Sequence, residues 1–204
     1  MKKILPFKPK VYLEQGLTQC GAYSVKAILS SYGKDDKKHP RDYQPNILAK
    51  YTGITRGLFI WPKVIRTYGL TAERGSARNL SDDNRIKLLK KLINNDNVVM
   101  LRVGNGFSKN GNYNSLVASF LGHWITLWGY DDEKRIFYVY DSYVPLSRCD
   151  KVIPVGNVRR TFKEIIRDWG KGFPSAWHYS FIRVHKSSAL LKNPSQTLRY
   201  IQGL

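Results

Sequence analysis

The sequence predicts an α+β protein. Apolar residues at helical spacing dominate up to about residue 95, short apolar and alternating runs dominate after residue 97, and the two kinds of segment come in blocks. On this reading residues 1–204 form one domain: a helical part over about 12–95, a sheet part over about 97–185 and a polar tail over about 186–204. A chain of 204 residues is long enough to bury a substantial core.

Ala22, Val25, Ile28, Leu29 and Tyr32 recur at helical spacing, and Gly33 follows as a stop. Thr18 or Gln19 falls at the N-terminus of this helix, with Cys20 on its first turn. Residues 45–51 and 58–68 read as short helices, separated by turns at Gly53 and Gly57 and ended by Gly69. Ser81-Asp82-Asp83 opens another helix, with Ile86, Leu89, Leu92 and Ile93 on one side. Its acids lie in the first turn and Lys90-Lys91 near the end, as the helix dipole favours. The period then changes. Val98 to Val103 is an apolar strand ended by Gly104. His123 to Trp128 and Ile136 to Tyr140 are strands joined by the polar turn Asp131-Asp132-Glu133-Lys134, which predicts an antiparallel hairpin. Thr161-Phe162-Lys163-Glu164 is a capping box that opens a helix through Trp169, with Gly170 at its end. Trp177 to Val184 alternates and closes the sheet. The connection from Gly104 to Gly122 is long and rich in Gly, Asn and Ser, with a short apolar turn over Leu116 to Leu121; loops of that length are often functional.

Composition excludes several classes. With 42% hydrophobic residues the chain is no disordered basic tail, despite 34 Lys+Arg against 15 Asp+Glu and a net charge of +19. No apolar run approaches the roughly 18–20 residues that span a bilayer. The basic start, Met1-Lys2-Lys3, has no apolar stretch of signal-peptide type behind it. The expected location is therefore the cytoplasm as synthesised, and export would need a route without a cleaved signal peptide. Two cysteines, Cys20 and Cys149, exclude a disulfide framework and a Cys-based zinc ribbon. His39, His178 and His185 show no metal-ligand spacing, so neither a metal nor an organic cofactor is expected. The charge points to a polyanion partner, but residues 101–150 balance at five basic and five acidic side chains, and neither Lys34 to Lys38 nor Arg159-Arg160 matches a nucleic-acid motif.

Three pieces of sequence fit one mechanism. Leu13-Glu14-Gln15-Gly16-Leu17-Thr18-Gln19-Cys20-Gly21 puts a cysteine at the entry to an apolar helix, where the dipole and free amides favour a thiolate. Gly21 leaves room for close approach of a substrate, and the amides near Cys20 with a side-chain amide can donate to an oxyanion. Gly122-His123-Trp124 puts a histidine at the head of a strand, with Gly122 and Trp124 beside it. Asp141 ends the next strand, 18 residues later, where a turn centred near Asp132-Glu133 would set it opposite His123 and let it orient the imidazole. Each residue also has a plain reading: Cys20 as a small core residue, His123 as a hydrogen-bonded core histidine, Asp141 as a turn cap.

With Cys-Gly opening a helix, a later Gly-His-Trp strand, Gly129-Tyr130-Asp131 and an Asp ending the following strand, the chain resembles the papain-like cysteine peptidases. It is most similar to the bacterial branch of bacteriocin-processing, double-glycine-leader peptidases and their stand-alone soluble relatives, from about Tyr12 to Tyr143. The resemblance implies the papain-like fold, with the nucleophile helix packed on an antiparallel sheet. It implies Cys20 as nucleophile, His123 as general base and then acid, and Asp141 as the residue orienting His123. The family usually places an oxyanion glutamine six residues before the cysteine, where this chain has Glu14. Gln15 takes that role here, with Gln19 as the alternative. The chain shows no transporter segment, so the double-glycine preference does not carry over.

The function so implied is hydrolysis of a peptide bond through an acyl-enzyme. A thiol acyltransferase on the same scaffold and a non-catalytic basic nucleic-acid-binding protein are the alternatives. The implied partners are a peptide or protein substrate, which the charge favours being acidic, and an acidic inhibitory or immunity partner.

Overall fold

A computed structural model describes residues 1–35, 37–53 and 58–186. Strand β1 (Lys2–Ile4) is followed by an extended segment and helix α1 (Cys20–Ser31). Helices α2 (Ile47–Thr52) and α3 (Ile60–Thr67) come next, then β2 (Leu70–Ser76) and α4 (Asp82–Asn94). The remainder runs β3 (Val98–Gly104), α5 (Ser115–Phe120), β4 (Gly122–Asp131), β5 (Ile136–Tyr140), β6 (Val158–Thr161), α6 (Phe162–Trp169) and β7 (Ser180–Lys186). The strands form one antiparallel sheet in the order β2-β7-β3-β4-β5-β6. β1 pairs with β4 at Gly129 to Asp131, just past the end of its ladder with β3.

The central strands are buried along their length, apart from Gly122 at the head of β4, because both faces of the sheet are covered. On one face Tyr140 packs on Tyr12 and its hydroxyl donates to the Leu13 carbonyl, while Ser24 of α1 donates to the Trp124 carbonyl at 3.3 Å. On the other face Phe137 packs on Phe162, the first residue of α6. Ser81 caps α4 through the Asn84 amide, and Thr161 and Glu164 form the full capping box of α6. These local signals stand where the sequence puts them.

Three features differ from the sequence reading. The part before residue 97 is not purely helical, because β2 crosses it to pair with β7, and β1 joins β4. β2 is an edge strand whose outer residues are polar, held across the ladder by Arg183 and Glu73, so it lacks an apolar pattern. The closing strand begins at Ser180, not Trp177, since Ser175–Trp177 turns as a short 3-10 helix. β6, the other edge, carries half-buried and exposed positions only and had no apolar signal. The polar tail expected after residue 186 and the turn expected at Gly57 lie outside the described residues.

Candidate active site

Cys20 is the first residue of α1. The residue before it, Gln19, is the N-cap and sits in the left-handed region at φ 81° without capping the helix. Its side chain is instead committed to α2: Nε2 donates to the Lys50 carbonyl at 2.8 Å, and Oε1 accepts from Gln44 at 2.5 Å. The first turn of α1 holds no acidic side chain, so the positive end of the dipole is left to the sulfur. The backbone amides of Gly21 and Trp124 also favour the thiolate of Cys20.

Cys20 meets His123 through a side-chain hydrogen bond. The other partner of His123 is Asp141, whose Oδ1 lies 2.8 Å from Nε2, which leaves Nδ1 of the ring for the sulfur. The expectation that the two residues stand directly opposite one another is corrected. The ladder pairs Thr126 with Tyr140, and a bulge between Leu127 and Gly129 shifts the register, so Asp141 reaches His123 on the diagonal. Asp141 is also the most heavily tethered residue nearby. Oδ1 accepts from the Tyr143 amide at 2.9 Å and Oδ2 from Arg160 at 3.2 Å. The Asn157 side chain bonds both the N–H and the carbonyl of Asp141, at 2.9 Å each.

These contacts set the charges. Burial pushes the Cys20 thiol up, but the His123 bond and charge and the two amides outweigh it, and its pKa falls below the ordinary thiol value. Burial also disfavours imidazolium at His123, yet Asp141, by charge and by hydrogen bond, raises its pKa well above the usual value. Asp141 is opposed by burial too, and His123 and Arg160 still hold its carboxyl well below the usual range. The shifts run toward thiolate at Cys20, imidazolium at His123 and carboxylate at Asp141.

Gln15 is buried beside this group. Its amide N–H donates to the Ser142 carbonyl at 2.8 Å, and Oε1 accepts from the Ser142 hydroxyl at 2.5 Å. Its Nε2 makes no hydrogen bond among the described residues. Glu14 points elsewhere, accepting from Lys109 at 2.8 Å and from the Leu146 amide at 3.0 Å. Lys109 belongs to the long 104–122 connection, which folds back through a Phe107–Tyr113 bridge and α5. It also donates to the Gln15 carbonyl at 3.1 Å, so this connection packs against the site. A cavity of about 400 Å³ lies there, lined among others by Lys109, Asp141, Tyr143, Arg148 and Arg160.

Gly21 does not leave room for substrate. A Cβ there would come within 2.3 Å of the buried Trp61 indole, so the glycine is required by packing. Gly122 is exposed, but its side-chain direction is filled by the Arg102 guanidinium. Trp124 is buried. Cys149 is a free thiol like Cys20, half-buried and raised in pKa chiefly by that burial. Among the described residues no cluster of His, Cys, Asp or Glu could hold a metal ion, and no helix is long and apolar enough to cross a membrane. Asn157, Arg160 and Lys109 went unnoticed in the sequence. Arg160 had entered the sequence reading only within the Arg159-Arg160 pair, which matches no nucleic-acid motif.

A cysteine on a helix N-terminus, bonded to a histidine on the central sheet, is an arrangement that suits thiol chemistry on a carbonyl. The chain belongs to the Peptidase_C39-like family, whose model matches residues 4–172, and is a cysteine-type peptidase with the papain-like α+β fold. None of the curated proteins matches it. Among solved structures, a double-glycine-motif protease from an AMS/PCAT transporter, in complex with the leader peptide, is similar at 16% identity and a TM-score of 0.49, over 90% of this chain and 97% of that one. A structure described as a C39-like peptidase from Bacillus anthracis is similar at 16% identity and a TM-score of 0.49, over 92% and 99%.

Proposed function

We propose that the protein hydrolyses peptide bonds through Cys20, His123 and Asp141 and an acyl-enzyme intermediate. The observation that carries the reading is His123, held between the Cys20 sulfur and Asp141 Oδ1 in a buried group. The Cys20 thiolate attacks the amide carbonyl, forming the S–C bond while the π pair moves to oxygen. The Cys20 amide and Gln15 Nε2 are the proposed donors to that oxyanion. His123 gives its proton to the amine as the oxyanion collapses and the C–N bond breaks; it then takes a proton from water, whose oxygen attacks the thioester carbonyl, and the C–S bond breaks to release the acid and restore the Cys20 thiolate. Asp141 keeps the ring oriented throughout and stabilises its protonated form. The substrate is a peptide or protein, and the net charge of +19 favours acidic ones or an acidic inhibitory partner.

The test is labelling with an epoxide or vinyl-sulfone thiol probe, followed by product analysis on a fluorogenic peptide library. Cys20→Ala and His123→Ala should each abolish labelling at position 20 and all turnover. Turnover that survives Cys20→Ala would overturn the reading. If added amines capture the acyl group in preference to water, the chain is an acyltransferase on the same triad.

A further inference from the structure

Among the described residues two buried side-chain donors lack any hydrogen-bond partner, Trp61 Nε1 and Arg102 Nη1. Both lie against the glycines that adjoin the proposed nucleophile and base: Trp61 fills the side-chain space of Gly21, and Arg102 that of Gly122. Arg102 is the costlier of the two, because it carries a charge and is only 5% exposed. It stands on β3 opposite Trp124, whose carbonyl accepts from Ser24, one turn along α1 from Cys20. Its Nη2 donates to the Phe173 carbonyl, and the guanidinium lies 4.8 Å over the Trp177 ring. Gly172 lies beside it, since a Cβ there would come within 3.3 Å of Nη1. No carboxylate of the described residues pairs with it.

A buried cation without a counter-ion destabilises a fold unless some nearby group carries negative charge. The charged groups around the thiol are few. His123 faces it from β4, with Asp141 behind the imidazole at the end of β5 and Arg160 of β6 on the far oxygen of Asp141. α1 contributes no carboxylate in its first turn. Arg102 comes from β3, the opposite flank. Burial lowers the pKa of this arginine, and the interaction that opposes the lowering is with Cys20.

We propose that Arg102 is a positioning residue for the nucleophile: a buried, unpaired cation behind the Gly122–Trp124 backbone that holds negative charge on Cys20 Sγ independently of the His123–Asp141 arm. This rests on the reading of Cys20 as nucleophile.

The experiment is the pH dependence of iodoacetamide alkylation in the full chain, with the Cys20 peptide followed by mass spectrometry apart from the Cys149 peptide. Arg102→Gln and Arg102→Met remove the charge, and the glutamine can still donate to the Phe173 carbonyl. Arg102→Lys keeps it. Gly122→Ala keeps the arginine but displaces it, since the new Cβ would fall 2.2 Å from Nη2. The neutral variants and Gly122→Ala should raise the alkylation midpoint by about one pH unit, a roughly tenfold lower rate on the acid limb, while Arg102→Lys stays within about threefold of the parent. Midpoints within about 0.3 unit of the parent in every folded variant would overturn the proposal. A parent in which Cys20 shows no reactivity below the ordinary thiol pKa would instead overturn the peptidase reading.

Discussion

Asp141→Asn is the substitution that separates charge from shape at the proposed site. The carboxylate accepts three hydrogen bonds, from His123 at 2.8 Å, the Tyr143 amide at 2.9 Å and Arg160 at 3.2 Å. An asparagine of the same size has one acceptor oxygen. If that oxygen stays toward His123 and Tyr143, its NH2 group meets the Arg160 guanidinium, donor against donor; if it turns, the NH2 group meets the Tyr143 amide. Hydrogen bonds to a charged group are worth roughly 1.5–3 kcal/mol and a broken buried pair about 3–5 kcal/mol, but Arg160 keeps its stacking 3.9 Å over Phe107. A net loss of about 2–4 kcal/mol is expected, a fall in Tm of about 5–15 °C for a chain of this size. The chemical effect is larger. Without the carboxylate the His123 pKa falls, the thiolate–imidazolium pair is less populated at neutral pH, and kcat/KM drops by about 10²–10⁴. Calorimetry gives the first quantity, and the second comes from peptide turnover with an NMR titration of the His123 ring. A variant with unchanged histidine titration and turnover within threefold of the parent would refute the role given to Asp141.

Gln15→Ala should lower kcat by about 10²–10³ while leaving Cys20 alkylation unchanged, because the amide is asked to stabilise only the oxyanion; equal losses in both assays would argue against it. Gly21→Ala forces a Cβ to 2.3 Å from the fully packed Trp61 ring, and overpacking of this kind should cost about 1–3 kcal/mol in denaturant unfolding. Acid stability follows the depressed pKa of Asp141: its contribution is complete above the ordinary carboxylate pKa near 4 and is lost as pH falls toward the lower folded value. The parent should therefore lose Tm more steeply than Asp141→Asn below about pH 4, and parallel curves would sink this assignment.

Much of the site could be read along the chain. Cys20 at the head of an apolar helix and His123 at the head of an apolar strand are local patterns, because the helix end and the strand period are written in neighbouring residues. What lay beyond reach were the groups that tune them. Arg102, Lys109 and Arg160 are three cations in a chain that has 34 Lys+Arg, and no local feature tells a buried guanidinium from a solvated one. The sheet edges β2 and β6 escaped for a related reason, since an edge strand has polar positions on its outer side and shows little apolar period.

By itself the sequence determined the α+β class and the helix starts at Ser81 and Thr161, which depend on spacing within a few positions, and it put forward Cys20, His123 and Asp141, the last from its place 18 residues after His123. Tertiary structure decided the rest. Only it shows that Gln19 turns its side chain to α2, that Gln15 lies against Ser142, and that Glu14 turns to Lys109. Only it shows the diagonal His123–Asp141 contact across a bulge. These are choices among polar groups of similar chemistry. Burial and partners bring together residues far apart in the chain, and those contacts, not local propensity, select which group is free to act.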